Sequence, residues 1–495
     1  MITYKSINFN PLIYITSFRA KYLFIIFLFV FAFSCKKDEQ IITDSSAKLE
    51  FSESSILFDT VFTTVGSVTK QFKIYNRNNK TIRISSIKIA NGVSSYFRMN
   101  VDGIPATSIH DIDIPKKDSL FIFVEVTVNP TNQNNPLIIR DSVIFEVNGN
   151  TQDVDLEAWG QDAYFHVPDK LLFNQIPYSV ITCDDIWKND KPHVIYGYAV
   201  VDSDCKLSMQ VGTKVYMHNG AVLWVFDKGT LEIKGSYNNP VTFQGDRLEP
   251  DYAEMPGQWG KIWLSIGSKD NIIDWAVIKN GGIGVQADTL GASTNPTLRI
   301  SNTIIKNMSA AALFGQGSYI NAYNCVFANA GQYTAALTLG GSYSFRHCTF
   351  ANYWNSGSRS TPLLLLNNWY KDNTGTIQNR GLDTAYFGNC IVYGNLTNEI
   401  GLDSINNPGV NFKYMFDHSL LRTDLNTSSS YHYDTIFTNL DPAFKDVSKN
   451  DYNIGINSGA KDKGNVAIGN TYPIDLNNLP RNIDTAPDLG AYEYK

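Results

Sequence analysis

Charge is scarce in this chain. Only 18% of its residues are Asp, Glu, Lys or Arg, and the basic ones form no stripe, which argues against nucleic acid as a partner. The formal charge of −6 becomes −9 once residues 1–34 are set aside, because that segment holds Lys5, Arg19 and Lys21 and no acid. Apolar residues at helical spacing are missing beyond the N-terminus, which excludes a helical bundle. Tyr, Phe, Asn, Thr and Gly are plentiful instead, and 43% hydrophobic content over 495 residues is enough for two or more domains, each with its own core. The profile is all-β.

Arg19 and Lys21 precede "YLFIIFLFVFAF", an apolar run that ends at Ser34-Cys35. At about 1.5 Å per residue it is too short for a bilayer core of about 30 Å, so residues 1–34 read as a signal peptide. "AFSC" resembles the lipobox of bacterial lipoproteins, although Ala32 stands where that pattern usually has Leu. The resemblance implies that Cys35 is lipidated and becomes the first residue of the mature chain. Residues 35–47 then form a linker, and "KKDEQ" after the cysteine resembles the export signal of Bacteroidota surface lipoproteins. The expected address is the outer membrane, lipid-anchored and facing the cell exterior.

Residues 48–160 read as short alternating strands. In "SVTKQFKIYNRNNKTIRISSIKIA", Val68, Phe72, Ile74, Ile82, Ile84, Ile87 and Ile89 lie among polar neighbours, with "NRNNK" as a hairpin turn; "SLFIFVEVTV" and "DSVIFEVNG" follow. Roughly seven strands in this length predict a β-sandwich. Cysteine is absent from the stretch, so an antibody-type disulfide is excluded. The segment resembles the Ig-like spacer domains of secreted bacterial proteins.

Farther on, "YNCVFAN" at 323–329 returns as "RHCTFAN" at 346–352. Aligned on their second position, "WAVIKN", "NTIIKN", "NCVFAN", "HCTFAN" and "NCIVYGN" place Ala276, Thr303, Cys325, Cys348 and Cys390 at separations of 27, 22, 23 and 42 residues. A period of about 22 with insertions is a solenoid signature, and one short strand with a bend per repeat makes it a β-helix. Cys325, Cys348 and Cys390 should then be free thiols in an inward column, and Asn280, Asn307, Asn329 and Asn352 a second column of amides bonding from coil to coil. Cys183 and Cys205, 22 residues apart, lie about one coil apart, where a disulfide is geometrically allowed.

"VGTKVYM", "KGTLEIKG" and "PVTFQGD" resemble the opening coils of right-handed parallel β-helices of the pectate-lyase-like superfamily, and "DPAF", "DYNIGINSGAKDKGN" and "DTAPDLGAYEY" its closing segment. The resemblance covers 165–495 and implies fold rather than activity. Members include polysaccharide lyases, glycoside hydrolases and non-catalytic adhesins. A lyase of this type needs a base beside carboxylates that hold Ca²⁺, and a hydrolase needs paired carboxylates. The repeats supply neither, so no cofactor is expected outside the lyase alternative.

The widest gap, from Cys348 to Cys390, points to an insertion around 367–383. There Trp369 and Tyr370 would stack on sugar rings, with Arg380 and Asp383 as orienting groups. A second loop, 245–261, carries Asp246, Arg247, Glu249, Asp251 and Glu254, whose charges should pair among themselves. The favoured function is a surface-anchored glycan-binding or adhesive scaffold. A β-helix lyase or hydrolase and a purely structural envelope protein are the alternatives. The partners expected are the membrane, through Cys35, and polysaccharide, met by a monomer.

Overall fold

A computed structural model describes residues 40–62, 66–128, 137–288, 295–405, 407–482 and 485–495. Cys35 and the signal segment 1–34 lie outside the described residues. The chain divides into two compact units. Of the described residues, one contains 40–58, Ser67–Thr127 and Ile139–Glu157; the other contains 59–62, Gly66, Val128, 137–138 and those from Ala158 onward.

The first unit is built from a six-stranded and a five-stranded sheet. They meet face to face, with the Phe145 ring centroid 5.0 Å from Phe51 and 6.3 Å from Phe72. Phe72, Ile74, Ile82, Ile84, Ile87 and Ile89 are all buried. Ile84 and Ile87 share the core face despite their odd spacing because the pairing with Leu137–Val147 slips by one residue between Glu146 and Val147, a β-bulge. "NRNNK" is not a hairpin turn. Lys70–Tyr75 and Thr81–Ile89 belong to different sheets, and buried Asn76 holds the crossover by donating to the carbonyls of Lys80, Ile114 and Pro115.

The second unit is a parallel solenoid with three strand faces per coil. Face one runs through Asn271–Asp274, Leu298–Ser301, Tyr319–Tyr323 and Gly341–Arg346. Face two runs through Ala276–Lys279, Ile304–Met308, Val326–Ala330 and Thr349–Asn352, and face three through Gly281–Asp288, Ala311–Gln316, Tyr333–Thr338 and Leu364–Asn367. Register is in step from coil to coil, as in Ile304, Val326, Thr349 and Ile391. The interior is a pile of like residues. Cys325, Cys348 and Cys390 are free and fully buried, and Phe327 stacks on Phe350 at 5.1 Å and Phe345 on Phe387 at 5.1 Å. Cys183 and Cys205 form a disulfide with their Cα atoms 4.9 Å apart.

From Asn271 onward the bend between faces one and two is made by a left-handed residue. Trp275, Asn302, Asn324, His347 and Asn389 supply it, all with φ near 50°. Asn is the residue that accepts this conformation most readily after Gly. Asn280, Asn307 and Asn329 do the same at the next corner, whereas Asn352 does not. The expected coil-to-coil amide ladder in that second column does not form: Asn280 and Asn307 donate to Ala253 and Glu254 of a corner loop, Asn329 donates to Asn450, and Asn352 bonds to the backbone of Ala330 one coil away. An amide contact of this kind occurs in the first column, from Asn324 Nδ2 to Asn302 Oδ1 at 3.2 Å.

Face two is buried on its outer side as well. Val326, Ala328 and Ala351 pack under Tyr452, Leu476, Ala491 and Tyr492 of the C-terminal segment. A buried ion pair fixes that segment: Arg481 Nη1 donates to Glu493 Oε1 at 2.5 Å and Nη2 to Asn324 Oδ1 at 2.9 Å. Burial outweighs the attraction of Arg481 and pushes the Glu493 carboxyl up to about 7.

A raised carboxylate pKa means that the folded chain keeps a proton the unfolded chain releases, so this contribution to stability is present at low pH and is lost as pH rises from about 4.5 to about 7. Glu493→Gln removes the titration. Thermal melts should show wild type losing up to about 3 kcal/mol relative to Glu493→Gln across that window. A difference independent of pH would refute the buried-acid assignment.

Candidate functional site

The four candidate binding residues do not converge. Trp369–Lys371 and Ile377–Asn379 form a two-stranded hairpin, and its turn is closed by Asp372, which accepts from Thr374, Gln378 and Thr376. Those hydrogen bonds, the Thr374 hydroxyl first, hold the Asp372 carboxyl down at about 2. Trp369 and Tyr370 are successive strand residues and so point to opposite faces. Trp369 Nε1 donates to Asp403 Oδ1 at 2.9 Å, while Tyr370 is exposed. The Arg380 guanidinium lies along Gly317, and Asp383 accepts from Asn411 at 3.3 Å. The extra length of this coil is also shared: part of it is the loop 353–363 ahead of Leu364–Asn367, and part is the hairpin.

A more closely built site lies at the corner between faces two and three. Two long loops rise there, one between Val241–Gly245 and Trp259–Leu264, the other between Thr349–Asn352 and Leu364–Asn367. The three intervening corners are short, running from Lys279 to Gly281, Met308 to Ala311 and Ala330 to Tyr333. At about 4.8 Å per coil the two loops leave a floor roughly 19 Å long between them. The turn Val447–Lys449 of the C-terminal segment adds a further wall. They enclose a cleft of about 330 Å³ lined by Glu254, Asn307, Asn329, Trp354, Ser356 and Asn450, among others.

Glu254 ties these walls together. Its Oε1 takes Lys279 Nζ at 3.1 Å, and its Oε2 takes Lys306 Nζ at 2.9 Å, Asn307 Nδ2 at 2.5 Å and Asn450 Nδ2 at 3.2 Å. Burial opposes its ionisation, but Lys306 and Lys279 outweigh burial and hold the carboxyl below the ordinary range. Asn329 donates to Asn450 and accepts from the Tyr353 N–H at 2.9 Å, which places the loop that carries Trp354. That loop is clamped by Arg359, which makes a bidentate, buried pair with Glu399 at 2.8 and 2.7 Å. In the first loop Arg247 pairs with Glu249 and lies 3.9 Å over the Tyr252 ring, and Asp246 meets His218 at 2.7 Å. Pairing among that loop's charges therefore holds for Arg247 and Glu249. It fails for Glu254, whose partners come from later coils and from Asn450.

What the cleft offers is an indole surface beside amides and hydroxyls, over a carboxylate already saturated by donors. Glu254 is the only carboxylate among the lining residues, and it stays ionised at neutral pH, so it is no general acid. Among the described residues no group of three or more His, Cys, Asp or Glu side chains is arranged to hold a metal ion.

A family model described as "Right handed beta helix region" matches residues 182–350. No curated protein matches. Among solved structures, the chain is similar to the catalytic unit of a thermostable GH87 α-1,3-glucanase from Streptomyces thermodiastaticus, at 10% identity and a TM-score of 0.18, over 74% of this chain and 65% of that one. It is similar to a family 123 glycoside hydrolase from Clostridium perfringens at 9% identity and a TM-score of 0.17, over 23% of this chain and 25% of that one. It is also similar to a PapD-like domain of human CEP192 at 10% identity and a TM-score of 0.17, over 26% of this chain and 92% of that domain. The chain thus spans a quarter of the length of the Clostridium enzyme. Residues 182–350 are a right-handed β-helix, and coils in the same parallel register continue beyond them.

Glu254→Ala would strip both lysines and two amides of their common acceptor. The half-exposed site limits the cost to about 1 kcal/mol, read as a lower denaturation midpoint of the solenoid. Glu254→Gln should fall between wild type and Glu254→Ala. An unchanged midpoint for Glu254→Ala would show that the walls hold without it.

Proposed function

We propose that the chain is a lipid-anchored, surface-displayed β-helix scaffold that binds glycan in the corner cleft, with an Ig-like N-terminal unit as spacer and the lipid on Cys35 as anchor. The observation that carries the binding reading is the cleft itself. Trp354 offers a ring for the apolar face of a sugar, and Asn355, Ser356 and Asn450 offer hydrogen-bonding groups for its hydroxyls. Binding is favoured over hydrolysis because a glycosidase keeps one of its two flanking carboxylates protonated, and Glu254, the carboxylate at the centre of the cleft, is held ionised.

A glycan array probed with the chain lacking residues 1–35 tests the reading. Retention of at least one glycan is expected, and Trp354→Ala should weaken it ten-fold or more, by analogy with the loss of other aromatic platforms, while the melting temperature stays nearly unchanged. Failure to retain any glycan would leave a structural envelope role. Release of unsaturated or reducing ends would convert the reading to an enzyme.

The anchor is tested separately. Cys35→Ser should accumulate as unprocessed precursor that still carries residues 1–34. Mature, detergent-partitioning Cys35→Ser protein would eliminate lipidation at this position.

A further inference from the structure

The cleft continues past Glu254, Pro256 and Ser356 into a second cavity of about 540 Å³ that shares those three residues. The two ends differ in chemistry. Around Trp354 and Asn450 the lining is amide and indole; at the other end it is Pro250, Ala253, Met255 and Pro256, with Met255 43% exposed. Met255 thus presents part of an apolar side chain at the end of the groove lined by Pro250 and Pro256. A plain hexose ring carries hydroxyls around its rim and has little to place there.

Charge narrows the choice further. Lys279 and Lys306 are both spent on Glu254, and Lys449 lies 3.4 Å from Asp446. Asp251, exposed at the apolar end, adds a negative charge that disfavours a uronate or a sulfate. The groove therefore calls for an uncharged sugar that carries both an amide and a methyl group.

Building on the glycan-binding reading of the same site, we propose that the groove binds a neutral oligosaccharide containing N-acetylhexosamine, with one ring on Trp354 and the acetamido methyl of a neighbouring unit against Met255 and Pro256. The acetamide is uncharged, brings a donor and an acceptor to the region of Ser356, and buries a methyl that hexoses lack.

Chitotriose and cellotriose share one backbone and differ at the 2-acetamido groups, so calorimetric titration of the whole anchor-free chain with each isolates this contribution. Chitotriose should bind about ten-fold or more tightly than cellotriose, the range expected for one methyl-sized group in an apolar pocket. Met255→Ser should erase most of that preference by weakening chitotriose far more than cellotriose; Trp354→Ala should weaken both. Equal affinity for the two trisaccharides, or a preference untouched by Met255→Ser, overturns the acetamido assignment and leaves glycan binding standing. Binding of neither trisaccharide by a chain that retains another glycan on the array overturns it as well, and an array without any retained glycan removes the underlying reading.

Discussion

Each side chain inside a parallel solenoid has its equivalent directly above and below, one strand spacing away. That constraint governs the rest of this molecule. A column must be filled by residues that tolerate their own repetition, which is why thiols follow thiols at Cys325, Cys348 and Cys390 and rings follow rings at Phe345, Phe387 and Phe416, the last pair 4.7 Å apart. It also limits extra residues within a face to single-residue bulges, as opposite Lys261 and Ile262 and opposite Gly341 and Ser342, because an insertion that was not bulged out would turn every later side chain of that strand inside out. Longer extra segments leave at the corners. The two loops that wall the cleft, and the hairpin at 369–379, are all corner insertions, and between the two walls the short Asn-bearing turns of the intervening coils become a floor.

The same logic shows what was legible in the sequence. The heptads at 323–329 and 346–352 announce the solenoid because interior columns must repeat, and the interval of 42 residues before Cys390 announces an insertion because the coil length is otherwise nearly constant. Glu254 could not be found that way. Its partner Asn450 stands 196 residues away and comes from the C-terminal segment, which obeys no period. The amide column was visible, but not its bonding: at an outer corner the nearest acceptor for Asn307 is a loop carboxylate rather than the next amide. The "NRNNK" turn failed for a related reason. A turn between two apolar strands looks the same whether the chain returns along one sheet or crosses to another, and only the three carbonyls around Asn76 decide it.

The C-terminal segment answers a difficulty that stacking creates. Face two presents Val326, Ala328 and Ala351 outward, a continuous apolar strip that would otherwise meet water. Covering it buries backbone and charge, and Arg481 resolves much of that cost by reaching Glu493, Asn324 and the Ala491 carbonyl at once. Asn324 belongs to the left-handed column at the bend, so the residue that turns each coil also receives the strap. Bending and covering are thereby coupled through one column of side chains.

Preorganisation follows for the corner cleft. Trp354 sits on a loop clamped by Arg359 and Glu399, Asn307 and Asn329 are held in left-handed turns by the coils beneath them, and Asn450 is fixed by a segment that is itself locked to the solenoid. A ligand that enters finds most of these groups already ordered, so little conformational entropy is lost on binding and a modest number of contacts can be effective. Under the proposed glycan-binding reading, the indole face of Trp354 and the side chain of Met255 would be the groups that select the ligand. Under that proposal, specificity depends less on the repeating scaffold than on which residues stand on its interruptions, and a β-helix fold by itself says little about what any one solenoid binds.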